Sequence, residues 1–232
     1  MSPEAPRPDP SSGVYETLLV RDGRIQALDL HLDRLAHSLD ALYGLALPVD
    51  LPGAMRARAG SLTGEHRLRV DVTAADGAVG WECISSPLAP GARRAVALAP
   101  ATVPGGLGAH KWADRRLIEA LGADPVPLLV DDDGSVLEAA WGNLWMLDGD
   151  ALITPPADGR ILPGVTRHLL LALAGGLGLT ARQRAIPIDE ARAAPTLFLT
   201  SSLRLIVAAG FDAPPADEHP TLARIRDAVA IF

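Results

Sequence analysis

Apolar positions along this chain fall into short alternating runs divided by turn residues, with longer helical stripes between them. Residues 14–20 (VYETLLV) read as a strand, Arg21-Asp22-Gly23 as a turn, and residues 24–30 as the returning partner. Leu32, Leu35, Leu39 and Leu42 recur at helical spacing, which predicts a helix over 31–43 ended by Gly44. A second helix is expected over 51–62, a strand–turn–strand unit over 66–85, and a strand over 93–98. Residues 100–109 are rich in Gly and Pro, without a period, and read as a link; a helix is then expected from Lys111 to about Leu121. Hairpins follow at 127–139 and 143–154, then helices over 168–177, 189–193 and 222–229, with strands over 196–201 and 205–208. This order predicts a mixed α/β (α+β) chain of two subdomains: a disordered lead-in over 1–12, an N-terminal α/β subdomain over 13–99, an interdomain loop over 100–109 and a C-terminal α/β subdomain over 110–232.

The bulk properties narrow the classes of function. A chain of 232 residues with 48% hydrophobic and 21% charged residues can bury a substantial core. A net charge of −7 argues against nucleic acid or an anionic membrane as partner, since both need a basic face. Cys83 is the single cysteine, so no internal disulfide and no Cys-rich zinc pattern is available. Residues 1–12 hold no apolar signal core, and no apolar run is long and unbroken enough to span a membrane; the expected compartment is the cytoplasm. The triple Asp131-Asp132-Asp133 lacks the ligand spacing of a calcium loop and reads as a solvated turn, so no metal is expected.

Lysine is the unusual feature. Lys and Arg together number 21, and Lys111 is the one lysine. Arginine supplies charge and hydrogen bonds but stays protonated, so it does not condense with an aldehyde as a lysine amine does. Three further features join Lys111. Pro163-Gly164-Val165-Thr166 precedes a helix, where free N–H groups and the Thr166 hydroxyl suit a phosphate, although Thr166 also suits a plain helix cap. Thr200-Ser201-Ser202 ends a strand with three hydroxyls, a second phosphate contact or a polar turn. Glu138 stands in an apolar strand and needs a partner: a protonated ring nitrogen, or an arginine. An imine-forming lysine, a phosphate cradle and a carboxylate for a ring nitrogen together describe a pyridoxal 5′-phosphate site.

The chain resembles the class IV (fold-type IV) PLP-dependent enzymes, which include branched-chain and D-amino-acid aminotransferases and 4-amino-4-deoxychorismate lyases. The resemblance runs from about Val14 to Gly210. Val14-Tyr15-Glu16-Thr17-Leu18 is similar to the family's V-F-E-T-L, and His31-Leu-Asp-Arg34-Leu to its H-x-x-R-L. Glu138 with Asn143 matches E-x-x-x-x-N, and residues 161–167 match L-P-G-[IV]-T-R. By resemblance, Lys111 is the Schiff-base residue and general base, and Arg34 binds the cofactor phosphate with Val165, Thr166, Ser201 and Ser202. Glu138 pairs with the pyridine nitrogen beside Asn143. Tyr15, Trp141 and Arg204 are the candidates for substrate contact. The resemblance also implies a homodimer acting on a small amine or amino-acid-like substrate.

Two departures bear on the reaction. No tyrosine follows Lys111 where branched-chain aminotransferases place one, and Ser202-Leu203-Arg204 resembles the S-L-R of lyase-like members. Both favour a 4-amino-4-deoxychorismate lyase that releases pyruvate and forms 4-aminobenzoate for folate synthesis. An aminotransferase of branched-chain or D-amino-acid type is the second reading. The stretch before Val14 does not match the family's usual leading strand pair, which keeps open a PLP-binding protein without turnover.

Overall fold

The computed structural model describes residues 7–89 and 91–232, which fold as two compact units. One is built on a four-stranded sheet and comprises Pro8–Ala92, His110–Arg115 and Phe232. The other is built on an eight-stranded sheet and holds residue 7, Arg93–Ala109 and Arg116–Ile231.

In the four-stranded unit the sheet contains β1 (Val14–Arg21), β2 (Arg24–Ile25), β3 (Glu65–Ala75) and β4 (Ala78–Pro87). Its order is β2-β1-β3-β4, antiparallel throughout. Helices α1 (Leu28–Tyr43) and α2 (Leu51–Gly60) complete the unit. Alternate residues share a sheet face, so Val14, Leu18 and Val20 of β1 join Leu68, Val70 and Val72 of β3. They pack with Leu35 and Leu39 of α1 and with Leu51, Met55 and Ala59 of α2. Each fully buried leucine here contributes about 2 kcal/mol of transfer free energy.

Three expectations change in this unit. Met1–Pro6 of the expected lead-in lie outside the described residues, while Pro10–Ser12 form one ordered 3-10 turn capped by the Asp9 side chain. Strand β2 stops at Ile25 instead of running to Leu30, because Ala27 turns left-handed (φ 47°), donates its N–H to the Phe232 carbonyl at 2.7 Å, and α1 begins at Leu28. No helix opens at Lys111. The Tyr15 N–H donates to the Lys111 carbonyl at 2.9 Å and the Ala113 N–H to the Gly13 carbonyl at 3.0 Å, with Trp112 bridged to Val14. Backbone groups engaged by the start of β1 cannot also close helical turns.

The eight-stranded unit comprises β5 (Val96–Thr102), α3 (Arg116–Ala120), β6 (Val126–Val130), β7 (Val136–Ala139), β8 (Asn143–Asp148) and β9 (Ala151–Thr154), then α4 (Val165–Leu173), β10 (Thr180–Gln183), α5 (Ile188–Ala193), β11 (Thr196–Ser201), β12 (Leu205–Phe211) and α6 (Pro220–Val229). Strand order is β10-β9-β8-β11-β12-β5-β6-β7, with parallel pairs β10/β9, β12/β5 and β5/β6. Trp145 of β8 and Phe198 of β11 are fully buried and stack with ring centroids 6.0 Å apart. Strand β5 runs on through Pro100 to Thr102, within the stretch expected to be a link. Its β12 partners end opposite Leu98, so Pro100 sits where only β6 flanks the strand and its missing N–H disturbs one side at most. Residues 103–108 are tied to the same unit by Val103 N–H to Val130 O at 2.8 Å and Gly105 N–H to an Asp131 carboxylate oxygen at 2.9 Å. Strand β10 was not expected; its TARQ sequence has no apolar alternation, and its place is set by parallel pairing on β9.

Candidate active site

Candidate residues form two clusters, one within each unit. In the four-stranded unit, pairing of residues 111–113 with the start of β1 brings Lys111 beside Tyr15. The Lys111 amine lies 4.7 Å from the centroid of the Tyr15 ring, and the Arg69 guanidinium 4.0 Å from it. Burial of the Tyr15 phenol would raise its pKa; the charges of Lys111, Arg115 and Arg69 and a hydrogen bond with Lys111 outweigh that, and the phenol lies below its ordinary value. Asp71 holds the Arg69 fork, at 2.6 Å to Nε.

Arg34 lies in the same unit, on the buried side of α1. Its Nε and Nη2 donate to the two oxygens of Glu16 at 2.8 and 2.7 Å, while His31 Nδ1 meets the same carboxylate at 2.8 Å. Burial would raise the Glu16 pKa, but Arg34 and His31 together hold it far below the carboxylate range. Burial pushes His31 down, against the pull of Glu16, so its imidazole is neutral near pH 7.

The second cluster belongs to the eight-stranded unit. Glu138, at the middle of β7, is 5% exposed, and Asn143 opens β8 at 3%. One Glu138 oxygen accepts the Leu162 N–H at 3.1 Å, and the other faces Asn143 Nδ2 at 3.4 Å. Asn143 Nδ2 also donates to the Leu162 carbonyl at 2.9 Å, so the loop before α4 is tied to the carboxylate. Gly164 caps α4 without a side-chain hydrogen bond, and a Cβ there would stand 2.0 Å from Asn143 Oδ1. Val165 and Thr166 therefore lie, buried, in the first turn of a helix whose leading N–H groups have no side-chain cap. Such groups suit an anion.

The turn after β11 carries the remaining candidates. Thr200, expected to offer a third hydroxyl, is buried, and its Oγ1 accepts from Trp145 Nε1 at 3.1 Å. Ser201 Oγ accepts the Arg204 N–H at 3.3 Å; Ser202 follows, half-buried. The Arg204 guanidinium lies 4.2 Å over the Trp141 ring. Burial lowers its pKa, and among the described residues no carboxylate pairs with it. Gly142 passes so close to the Thr200 carbonyl that a Cβ placed there would stand 2.7 Å from it, so a larger residue does not fit between the two loops.

Sequence reasoning missed Glu16, His31, Arg69 and Arg167. Glu16 carried the signal that flagged Glu138, a carboxylate within an apolar strand. Arg167 is 4% exposed and donates through Nη2 to the Pro155 carbonyl and to Gln183 Oε1, both at 2.8 Å. Its position inside a helical apolar run was the available signal. Among the described residues no group of three or more His, Cys, Asp or Glu side chains is arranged to hold a metal ion, and no helix is long and apolar enough to cross a membrane.

The profile of the Amino-transferase class IV family matches residues 13–209. The chain belongs to that family. Its fold is the family's mixed α/β arrangement with two curled sheets. A hypothetical aminotransferase from Mycobacterium tuberculosis, in its PLP-bound form, superposes with a TM-score of 0.84 at 24% identity, covering 95% of this chain and 88% of that one. A putative 4-amino-4-deoxychorismate lyase from Legionella pneumophila superposes at 0.80 with 18% identity, covering 100% and 96%. Among curated sequences, a branched-chain-amino-acid aminotransferase from Mycolicibacterium smegmatis is 36% identical over 100 residues, 38% of this chain and 27% of that protein. One from Arabidopsis thaliana, mitochondrial, is 27% identical over 88 residues, 38% and 23%. These matches span about a quarter of the relatives' own length.

Proposed function

We propose that this class IV protein is a PLP-dependent 4-amino-4-deoxychorismate lyase. The cofactor is pyridoxal 5′-phosphate, and the donor set fits it: an amine at Lys111, a buried carboxylate at Glu138, and anion-seeking N–H groups at Val165 and Thr166 behind a glycine that leaves no room for a Cβ. When bound, that cofactor withdraws electrons from the carbon bearing the substrate amine. Lys111 would hold the cofactor through its amine and, as general base, would take the proton from that carbon. Glu138, held by the Leu162 N–H and Asn143, would face the ring nitrogen and favour its protonated form. By resemblance, Arg34, Val165, Thr166, Ser201 and Ser202 would hold the phosphate. Loss of the ring C–H proton to Lys111 with cleavage of the neighbouring ring C–O bond would leave aromatic 4-aminobenzoate, and the departing enolpyruvate would take up a proton at its methylene carbon to become pyruvate.

The observation that carries the lyase reading is Arg204. A desolvated guanidinium on an indole face, with no protein carboxylate pairing with it among the described residues, suits a substrate that brings its own carboxylate. By resemblance, Tyr15 is the further candidate for substrate contact.

A second reading, an aminotransferase, draws on a different observation. Although no tyrosine follows Lys111 in sequence, Tyr15 of β1 lies beside it, with the amine 4.7 Å from the ring centroid, and offers a phenol near the imine-forming position. A paired assay decides between them. Purified protein with added PLP is given aminodeoxychorismate in one arm and a panel of L- and D-amino acids with keto acids in the other. The lyase yields 4-aminobenzoate and pyruvate, lost in Lys111→Ala. Amino-group transfer without aromatic product makes the chain a transaminase.

A further inference from the structure

The cluster of Glu16, His31 and Arg34 has a geometry that stability does not account for. Their side chains are 2%, 1% and 9% exposed. Glu16 shares a β1 face with Val14 and Leu18, while His31 and Arg34 sit three apart on one side of α1. An isolated charge buried this deeply is unfavourable, and a buried ion pair contributes little net stability against an apolar replacement. The arrangement does, however, fix a direction. Glu16 grips Arg34 along its Nε/Nη2 edge through two short hydrogen bonds, and His31 braces the carboxylate from the side at 2.8 Å. A guanidinium is planar and rigid, so gripping one edge sets both the plane and the heading of the opposite Nη edge. A free arginine would lose several rotamers on meeting an anion; this one has already lost them.

We propose that Glu16 and His31 are positioning residues that lock the Arg34 guanidinium in one orientation to receive the phosphate of the cofactor. The proposal rests on the reading above that Arg34 answers that phosphate. Glu16 and Arg34 cancel in net charge and His31 is neutral, so the cluster recognises the anion by directed N–H groups rather than by excess charge. Two sequence motifs, V-Y-E-T-L and H-L-D-R-L, thereby become one device.

The test compares dissociation constants for pyridoxal 5′-phosphate and for pyridoxal, read from cofactor absorbance. Proteins are the wild type, Arg34→Lys, Glu16→Gln, His31→Asn, His31→Leu and the Arg34→Lys/Glu16→Gln double variant, each checked for a folded far-UV spectrum. Wild type prefers the phosphorylated form. Arg34→Lys and Glu16→Gln each reduce that preference about tenfold while pyridoxal affinity stays within about twofold. The double variant is no worse than Arg34→Lys alone, because Glu16 acts through Arg34. His31→Asn retains a donor for Glu16 and keeps most of the preference that His31→Leu loses. Equal loss for both ligands in Glu16→Gln, no loss, or full additivity in the double variant overturns the proposal. An intact preference in Arg34→Lys instead removes Arg34 as a phosphate ligand, and the parent assignment falls with it. Where Glu16→Gln does not fold, Glu16→Asp and the two His31 variants carry the same comparison.

Discussion

Arg204 and Trp141 give the sharpest prediction at the scale of one residue. Lysine at position 204 keeps the charge but loses the planar fork and the stacking on the indole at 4.2 Å. On the proposed lyase reading, Arg204→Lys is expected to raise KM about tenfold, with kcat changed by no more than about threefold, because a substrate carboxylate remote from the reacting carbon would be bound alike in ground and transition states. Steady-state kinetics on the preferred substrate measure this, and a fall in kcat with KM unchanged would contradict it. Lys111→Ala should abolish turnover and leave the fold intact, since only the lysine side chain, not its backbone pairing with Tyr15, is removed. Most candidates were legible in the chain because each was an exception to its surroundings: a lone lysine, a glutamate among apolar residues, an arginine after a serine-rich turn. Glu16 was equally exceptional. Its two partners lie in α1, and sequence distance concealed the meeting.

Elements decide how those side chains are held. Helix α4 starts at Val165, earlier than its apolar stripe implied, because Gly164 is the cap. The expected strand 24–30 and the expected helix at Lys111 failed for one reason. Backbone hydrogen bonds to distant residues, Phe232 for Ala27 and Gly13 or Tyr15 for residues 111–113, outcompeted local propensity. Gly164→Ala tests the loop before α4. Its new methyl would meet Asn143 Oδ1 at 2.0 Å, so either the loop or the asparagine must move. A destabilisation of about 1–3 kcal/mol is expected, read as a lower thermal midpoint, together with faster release of cofactor on dialysis. An unchanged midpoint and unchanged release would show that the contact is not tight.

At the scale of the whole molecule, burial of the Glu16–His31–Arg34 cluster makes the fold sensitive to acid. Glu16 is depressed in the folded protein from an ordinary value of 4.5, so its stabilisation is present above that pH and is lost as pH falls toward the folded value. His31 is depressed from 6.5, so below that pH the unfolded chain takes up a proton that the native one refuses, which also favours unfolding. Both effects have the same sign. Denaturant midpoints should decline from about pH 6.5 downward, a first step near the ordinary histidine range and a second below about pH 4.5. His31→Asn should reduce the first step, leaving the part due to His110, and leave the second. A midpoint that is flat between pH 7 and 5 would contradict the buried neutral imidazole.

The sequence by itself determined the family and marked the candidate residues: the single lysine, the glycine-led helix start, the carboxylate among apolar residues, and the alternation that makes two antiparallel-rich sheet units. Those signals are local, written within a few residues of one another, and need no partner to be read. Tertiary structure alone decided what each group faces. Pairing of residues 111–113 with β1 places a phenol against the lysine, α1 brings a histidine and an arginine onto Glu16, and the Leu162 N–H with Asn143 secures Glu138. The physical reason is that a hydrogen bond or ion pair is a property of two groups at contact distance, and contacts between residues far apart in the chain exist only once the sheets have closed around their cores.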